Sequence, residues 1–141
     1  MSIEQNKIIV RQLIEEVFNQ GDIALADTLI APDFIEHEAL PPGMPSGREG
    51  TKAATQMMHT AVSNFKAVIN DMIAEGDKVA IHLTWSGIQT GEFMGMPPTG
   101  NSFSINVFDM FRIANGKIVE HWGLMDIMTM MQQLGAMDAP K

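Results

Sequence analysis

The chain has 141 residues, and seventeen acidic side chains against nine lysines and arginines give it a formal net charge of −8. The length predicts a single domain over residues 1–141. The negative charge disfavours nucleic acids and anionic membrane surfaces as partners. The lack of cysteine excludes disulfides and thiolate chemistry. Without a signal-peptide pattern or an apolar run of ~20 residues, we expect a cytoplasmic protein.

Helical patterns open the chain. Ser2 and Gln5 form a capping-box pattern, in which each side chain can satisfy the free backbone N–H of the other residue. Apolar residues then recur every three or four positions, which predicts a helix with one apolar face. They are Ile9, Val10, Leu13, Val17 and Phe18. Asp22 can cap a second, short helix over 23–29, which Pro32 ends.

A third helix is predicted after an extended stretch at 33–37 and a loop rich in proline and glycine at 40–47. Ser46 with Glu49 forms a second capping-box pattern at its start. The apolar stripe of this helix has the clearest helical period in the chain and continues to Phe65. Its members are Ala54, Met57, Met58, Ala61, Val62 and Phe65.

After Phe65 the period of the pattern changes to two, which is typical of β-strands. Strands are predicted at 67–74, 79–86, 103–113 and 118–125, with a loop rich in glycine and proline at 90–101 and a short final helix ending near Gly135. Three helices followed by a meander of long strands predict an α+β fold. In such a fold the helices pack on one face of a curved sheet.

One acidic residue interrupts an apolar row. The odd positions of strand 103–113 are Phe103, Ile105, Val107, Asp109, Phe111 and Ile113. A carboxylate on a buried face loses hydration, so we expect its pKa to rise unless a partner compensates. Such a carboxyl group suits proton transfer near neutral pH. The alternative is a structural acid held by backbone N–H groups or a lysine.

Other chemical motifs are lacking. The sequence has no nucleophile elbow, phosphate-binding loop or dinucleotide fingerprint. Its four histidines do not have the spacing of a helical zinc site, so we expect no metal.

The connection between the last two strands decides which residue faces Asp109. A two-residue hairpin at Asn115-Gly116 places Asp109 opposite Trp122. A three-residue connection with a bulge at Gly116 places it opposite Gly123 instead. The hydrophobic pattern favours the first register but does not settle the choice.

Several segments resemble the SnoaL-like polyketide cyclases. Residues 91–100, GEFMGMPPTG, are similar to the Gly-x-Phe-x-Gly-x-Pro-Pro-Thr-Gly loop of that family, and 112–126 resemble the block that follows. The segments 34–37, 47–50 and 132–135 also fit, so the resemblance covers nearly the whole chain. It implies a nuclear transport factor 2-like cone, in which helices close over a curved antiparallel sheet around an apolar pocket.

The resemblance also implies cofactor-free acid–base chemistry, which in these cyclases is an intramolecular aldol closure. The acid of the family lies two residues after the histidine of the last-strand block, and here that position is Gly123. In the strand-end loop, where the family often has a histidine before a glycine, this chain has Gln89. On the neighbouring strand, where a cyclase can carry histidine, it has Asp109. We therefore expect the bulged register, with Asp109 as base and His121 as its partner.

Further pocket residues are expected at the mouth and on the concave strand face. We predict that these residues contact the substrate: Glu36, His37, Gln89, Met94, Met96, Phe111 and Gly123. Methionine thioethers adapt to varied apolar ligands, so we expect a small, largely apolar molecule as substrate. Asp126 fits the family pattern as well, but its position favours an N-cap of the final helix.

The bulged register also predicts an outer apolar row. In that register Ile118, Trp122 and Leu124 point away from the pocket, and such a row needs cover. We expect a homodimer through this face, which family members commonly use. The rival hypothesis is a non-catalytic binding or dimerisation module, which the loss of the acid at Gly123 favours. The retained loop and the buried polar residues favour an enzyme acting on a small apolar carbonyl compound.

Overall fold

The computed structural model describes residues 2–136, and within that range the chain forms four α-helices and five β-strands. The helices are α1 (Ile3–Gln12), which continues into a π-helical segment at Leu13–Asn19, α2 (Ile23–Leu29), α3 (Gly47–Ala61) and α4 (Ile127–Gln133). The strands are β1 (Ile30–Glu36), β2 (Val62–Glu75), β3 (Lys78–Gln89), β4 (Ser102–Ala114) and β5 (Lys117–Met125). In this described part, no helix is both long and apolar enough to cross a membrane.

The helix starts confirm three of the four predicted caps, with that of Asp126 described below. The reciprocal capping box at Ser2 is formed, and the Asp22 side chain accepts a hydrogen bond from the backbone N–H of Leu25. The box predicted between Ser46 and Glu49 is wrong, because the Ser46 side chain makes no capping hydrogen bond.

The helix α3 ends sooner than its apolar stripe predicts. It stops at Ala61, so Val62 and Phe65 belong to β2. Asn64 has a left-handed φ of 55°, and the pairing of β2 with β3 slips between residues 63 and 66. This bulge returns both Val62 and Phe65 to the interior, which is why a strand imitated a helical period.

The five strands form one sheet in the order β1-β5-β4-β3-β2. Neighbouring strands are antiparallel, except that β1 runs parallel to β5. The α+β class is therefore confirmed, with a parallel edge pair in place of a wholly antiparallel sheet. The inward positions of β3 and β4 are almost all buried, and the core lies between them and the helices.

The β4–β5 hairpin combines both predicted connections. Asn115 and Gly116 alone form the turn, with φ values of 52° and 76° that are typical of a type I′ hairpin. Next to the turn, Ile113 pairs with Ile118, but the following residue of β4, Arg112, pairs with Glu120. Val119 is therefore the extra, bulged residue of β5. The bulge predicted at Gly116 was therefore misplaced by three residues.

Beyond this bulge the predicted register is confirmed. Asp109 pairs with Gly123, and Phe111 pairs with His121. The position of the bulge corrects the predicted outer row, because Ile118 lies between the turn and the bulge and therefore points inward, fully buried. Of the three residues assigned to the outer face, Ile118 was wrong.

The final helix provides a test of local stability. The Asp126 side chain accepts hydrogen bonds from the backbone N–H of Thr129 at 3.2 Å and from its hydroxyl at 2.7 Å. We expect Asp126→Ala to lower the free energy of unfolding by about 1 kcal/mol, since the cap is lost. Asp126→Asn should keep most of that stability. Urea denaturation of the two variants measures the difference, and equal stabilities would show that the cap contributes nothing.

Candidate active site

A cavity lies between the helices and the concave face of the sheet. Its wall is mainly apolar and includes Phe34, Met58, Phe65, Trp85 and Phe93. Its volume is about 160 Å³, below the ~300–1,000 Å³ of pockets that enclose drug-sized ligands. A ligand of several rings therefore requires the residues around the cavity to move apart.

A buried histidine joins three strands at the polar end of this cavity. The Nδ1 atom of His121 on β5 lies 2.6 Å from Oε1 of Glu36 on β1. Its Nε2 atom lies 2.8 Å from Oδ1 of Asp109 on β4. The ring also stacks on Phe111 at a centroid distance of 4.7 Å. The imidazole is thus fixed on both edges and on one face.

The charge of this group follows from its two carboxylate partners. Burial by itself lowers the pKa of His121, but the hydrogen bonds to Asp109 and Glu36 and the charges of these residues raise it to about 10. At neutral pH the ring is therefore an imidazolium that donates a hydrogen bond from each nitrogen. Two carboxylates against one cation leave the cluster with an excess of negative charge.

Glu38 is a fourth member of the cluster that the sequence analysis missed. It lines the cavity together with Glu36 and Asp109. Burial raises the pKa of Glu38 to about 7, opposed by His121 and reinforced by Asp109 and Glu36. The period of two from Glu36 to Glu38 would have placed both on one side of an extended segment. That signal was available in the sequence.

Gly123 leaves room for the polar side chains of the cluster because it has no side chain of its own. A Cβ atom added to Gly123 would lie 2.5 Å from Oδ1 of Asp109, 2.8 Å from Cε1 of His121 and 2.9 Å from Oε2 of Glu38. These distances are too short for a side chain while the other groups stay in place. The carboxylate of Asp109 therefore borders the space that a residue 123 side chain would need.

The predicted contact residues divide into two groups. Glu36, Met94 and Phe111 line the cavity, as do the predicted catalytic residues Asp109 and His121. Four others do not line it: His37, Gln89, Met96 and Gly123.

His37 points to the outside of the sheet because it alternates with Glu36 and Glu38. Its Nε2 atom lies 2.6 Å from Oε2 of Glu120, and its ring stacks on Trp122 at 4.9 Å. The structure thus places it away from the cavity. Another histidine, His59 on α3, does border the cavity, with Nε2 bonded to a backbone carbonyl oxygen at 2.6 Å.

The side chain of Gln89 is hydrogen-bonded to the loop at 90–101. It is fully buried, and its side-chain amide donates to the carbonyl oxygens of Met96 at 3.3 Å and Pro97 at 3.2 Å. Its side-chain oxygen accepts from the hydroxyl of Thr99 at 2.9 Å. The structure therefore places Gln89 and the backbone of Met96 in loop support.

The cluster also has the spacing of a metal site. Ligand atoms of Glu36, Glu38 and His121 lie within 4.8 Å of one another. A histidine ligand needs a free nitrogen lone pair, but both nitrogens of His121 are bonded to carboxylates. A metal ion would have to displace one of them, so the arrangement observed favours binding of a proton.

The comparisons with known proteins agree with this fold and cavity. The family model of the SnoaL-like polyketide cyclases matches residues 8–134, and the chain belongs to this family. It is 31% identical over 122 residues to the nogalonic acid methyl ester cyclase of Streptomyces nogalater, covering 84% of this chain and 89% of that protein. It is 32% identical over 138 residues to an aklanonic acid methyl ester cyclase of Streptomyces sp. (strain C5), covering 90% and 80%.

Solved structures show the same architecture. TsrD from Streptomyces laurentii superposes with a TM-score of 0.88 at 28% identity, covering 97% of this chain and 99% of that chain. IdmH from Streptomyces antibioticus superposes with a TM-score of 0.80 at 38% identity, covering 93% and 99%.

The raised pKa of His121 predicts a pH dependence of stability. The folded state holds the proton up to about pH 10, whereas the unfolded chain loses it near 6.5. The stabilisation is therefore complete below pH 6.5 and is lost as pH rises towards 10. We expect the free energy of unfolding to fall more steeply between about pH 7.5 and 9.5 in the wild type than in His121→Gln.

Urea denaturation at the two pH values measures this difference. Glu38 adds little to the slope of stability against pH in this interval, because its pKa in the folded state, about 7, lies below it. His82→Gln is the matched control, since His82 lies on the outer face and bonds to Asn106. Equal slopes for the wild type and His121→Gln would contradict the charged state assigned to this ring.

Proposed function

We propose that this protein is a cofactor-free cyclase that closes a ring in a small, largely apolar carbonyl compound by intramolecular aldol addition. Asp109 is the base, and His121 holds it in place. The observation that carries the proposal is the position of the Asp109 carboxylate, which borders the space beside Gly123 and is bonded to a buried imidazolium. The family places its acid at position 123, so Asp109 approaches the same point from the neighbouring strand.

The apolar wall of the cavity favours a substrate that loses its proton from carbon. A carboxylate is a weak base towards a C–H bond, so the reacting carbon must be flanked by carbonyl groups. Such a compound presents its apolar body to residues such as Phe34 and Phe93. Its reacting carbon then lies at the polar end of the cavity, against Asp109. The names of the two curated relatives support methyl esters of polyketide acids as the first compounds to test.

His121 and Glu36 act as positioning residues in this proposal. The Nε2–H of His121 fixes one oxygen of Asp109, and Glu36 fixes the other edge of the ring. The cation also offsets the cost of keeping carboxylates in an apolar cavity. The Asp109 carboxylate therefore needs no side-chain rotation before it accepts the proton.

The Asp109→Asn variant tests the base. Asparagine keeps the size of the side chain and an oxygen for His121 but cannot take a proton. We expect cyclisation of aklanonic or nogalonic acid methyl ester to slow ~100-fold or more, the usual contribution of a positioned base. Product formation is followed by chromatography.

The control variant is Asp33→Asn, which removes one exposed carboxylate from β1 and should react like the wild type. Unchanged turnover in Asp109→Asn would remove Asp109 from the mechanism. If the wild type binds both esters but cyclises neither of them, nor any other carbonyl compound in a panel, the rival function of a binding module replaces this proposal.

We also propose that a second copy of the chain covers the outer face of the sheet. Ile73, Phe108 and Leu124 are 71%, 56% and 78% exposed and lie on β2, β4 and β5, on the same face of the sheet. Trp122 is on the same face, partly covered by His37. Exposed apolar side chains gathered on one face are typical of subunit interfaces.

The variant Leu124→Glu tests the dimer, because it places a charge at the most exposed apolar position of this face. We expect light scattering to show a dimer for the wild type and a monomer for Leu124→Glu. Ile8→Glu is the matched control, since Ile8 is 58% exposed on α1, away from the sheet face. A wild type that is monomeric at micromolar concentration would contradict the dimer.

A further inference from the structure

The proposed cyclisation needs a second proton-carrying group. When the new carbon–carbon bond forms, the oxygen of the attacked carbonyl group gains negative charge. In an apolar cavity that charge is costly, so a nearby acid that donates a proton lowers the barrier. The base cannot supply this proton in the same step, because it takes one from carbon.

Glu38 lies where such an acid is required. Its Oε2 atom and Oδ1 of Asp109 are 2.9 Å and 2.5 Å from the same point, the Cβ position of a side chain at Gly123. The two carboxyl groups are therefore close neighbours at the polar end of the cavity. A substrate carbonyl group that reaches this end from the apolar side of the cavity meets both Asp109 and Glu38.

The hydrogen bonding of Glu38 differs from that of its neighbours. Asp109 and Glu36 are both bonded to the ring of His121. Among the described residues, the carboxyl group of Glu38 has no hydrogen-bond partner, and only its backbone N–H is bonded, to Oε1 of Glu36 at 2.9 Å. Glu38 lines the cavity, so a ligand bound there contacts this residue.

From this geometry we propose that Glu38 is the general acid of the reaction and donates its proton to the carbonyl oxygen of the substrate. The inference rests on the proposed function and adds a second catalytic residue to it.

The protonation state of Glu38 supports this role. Burial raises its pKa to about 7, so a large fraction of the group is protonated near neutral pH. The charged or titratable groups around it are Glu36 on β1, Asp109 on β4 and His121 on β5, with His59 on α3 also lining the cavity. Two carboxyl groups with different protonation states at one site are the usual arrangement for paired acid and base catalysis.

The step balances without any further reactant. Asp109 takes the proton from the nucleophilic carbon, and the electron pair of that C–H bond remains on an enolate stabilised by the flanking carbonyl groups. The enolate carbon then forms the new bond to the attacked carbonyl carbon. The π pair of the carbonyl group moves to oxygen, which takes the proton of Glu38. Asp109 is then protonated and Glu38 ionised, and proton transfer from Asp109 to Glu38 restores the starting state.

The variant Glu38→Gln separates the two proton transfers. In D₂O, removal of the carbon-bound proton is measured as deuterium incorporation into aklanonic acid methyl ester above the rate in buffer. We expect Glu38→Gln to keep this exchange while ring closure slows ~100-fold. Asp109→Asn should lose both. The control Glu92→Gln, which removes an exposed carboxylate from the loop, should keep both.

The pH profile provides a second readout. An acid must be protonated to act, so ring closure by the wild type should slow as pH rises through about 7. Glu38→Gln should lack this limb of the profile. Ring closure at the wild-type rate in Glu38→Gln, or loss of exchange together with ring closure, would overturn the assignment of Glu38. If the wild type and Asp109→Asn exchange deuterium at the same rate, the proposed function itself fails.

Discussion

The buried imidazolium of His121 is the interaction on which the polar end of the cavity depends. It bonds to Glu36 on one neighbouring strand and to Asp109 on the other, so one side chain ties β1, β5 and β4 together. Each carboxylate needs the cation, because an unpaired charge in a buried site is strongly destabilising. The same bonds orient Asp109 towards the cavity. Stability and the proposed chemistry therefore rest on one charge arrangement.

The bulge at Val119 makes this arrangement possible. Without it, the two-residue turn would place Asp109 opposite Trp122, since a slip of one residue exchanges the two faces of a strand. With it, both Ile118 and His121 point inward, and Gly123 lies beside the Asp109 carboxylate. A side chain at residue 123 would collide with that carboxylate. An acid at position 109 and a glycine at position 123 thus belong together in this chain.

Sequence reasoning predicted most of the fold and named three of the four residues that meet at the polar end of the cavity. The alternation along β4 exposed Asp109 as the acid in an apolar row, and the family resemblance selected the register that the pairing confirms. The sequence carries no local signal for the bulge at Val119, because β-branched residues are common in regular strands. The early end of α3 was missed because the bulge at Asn64 produces a helical spacing in a strand. Glu38 was missed because it lies two residues beyond the end of β1, just past the extended stretch predicted at 33–37.

The protonation state of His121 can be measured directly by ¹⁵N NMR of the histidine rings. The chemical shifts distinguish an imidazolium, protonated on both nitrogens, from a neutral ring. We expect both nitrogens of His121 to stay protonated throughout the neutral range and to titrate only as pH approaches about 10. A ring that is neutral at about pH 7.5, with a midpoint near the ordinary value of 6.5, would contradict the charge arrangement on which the site is built.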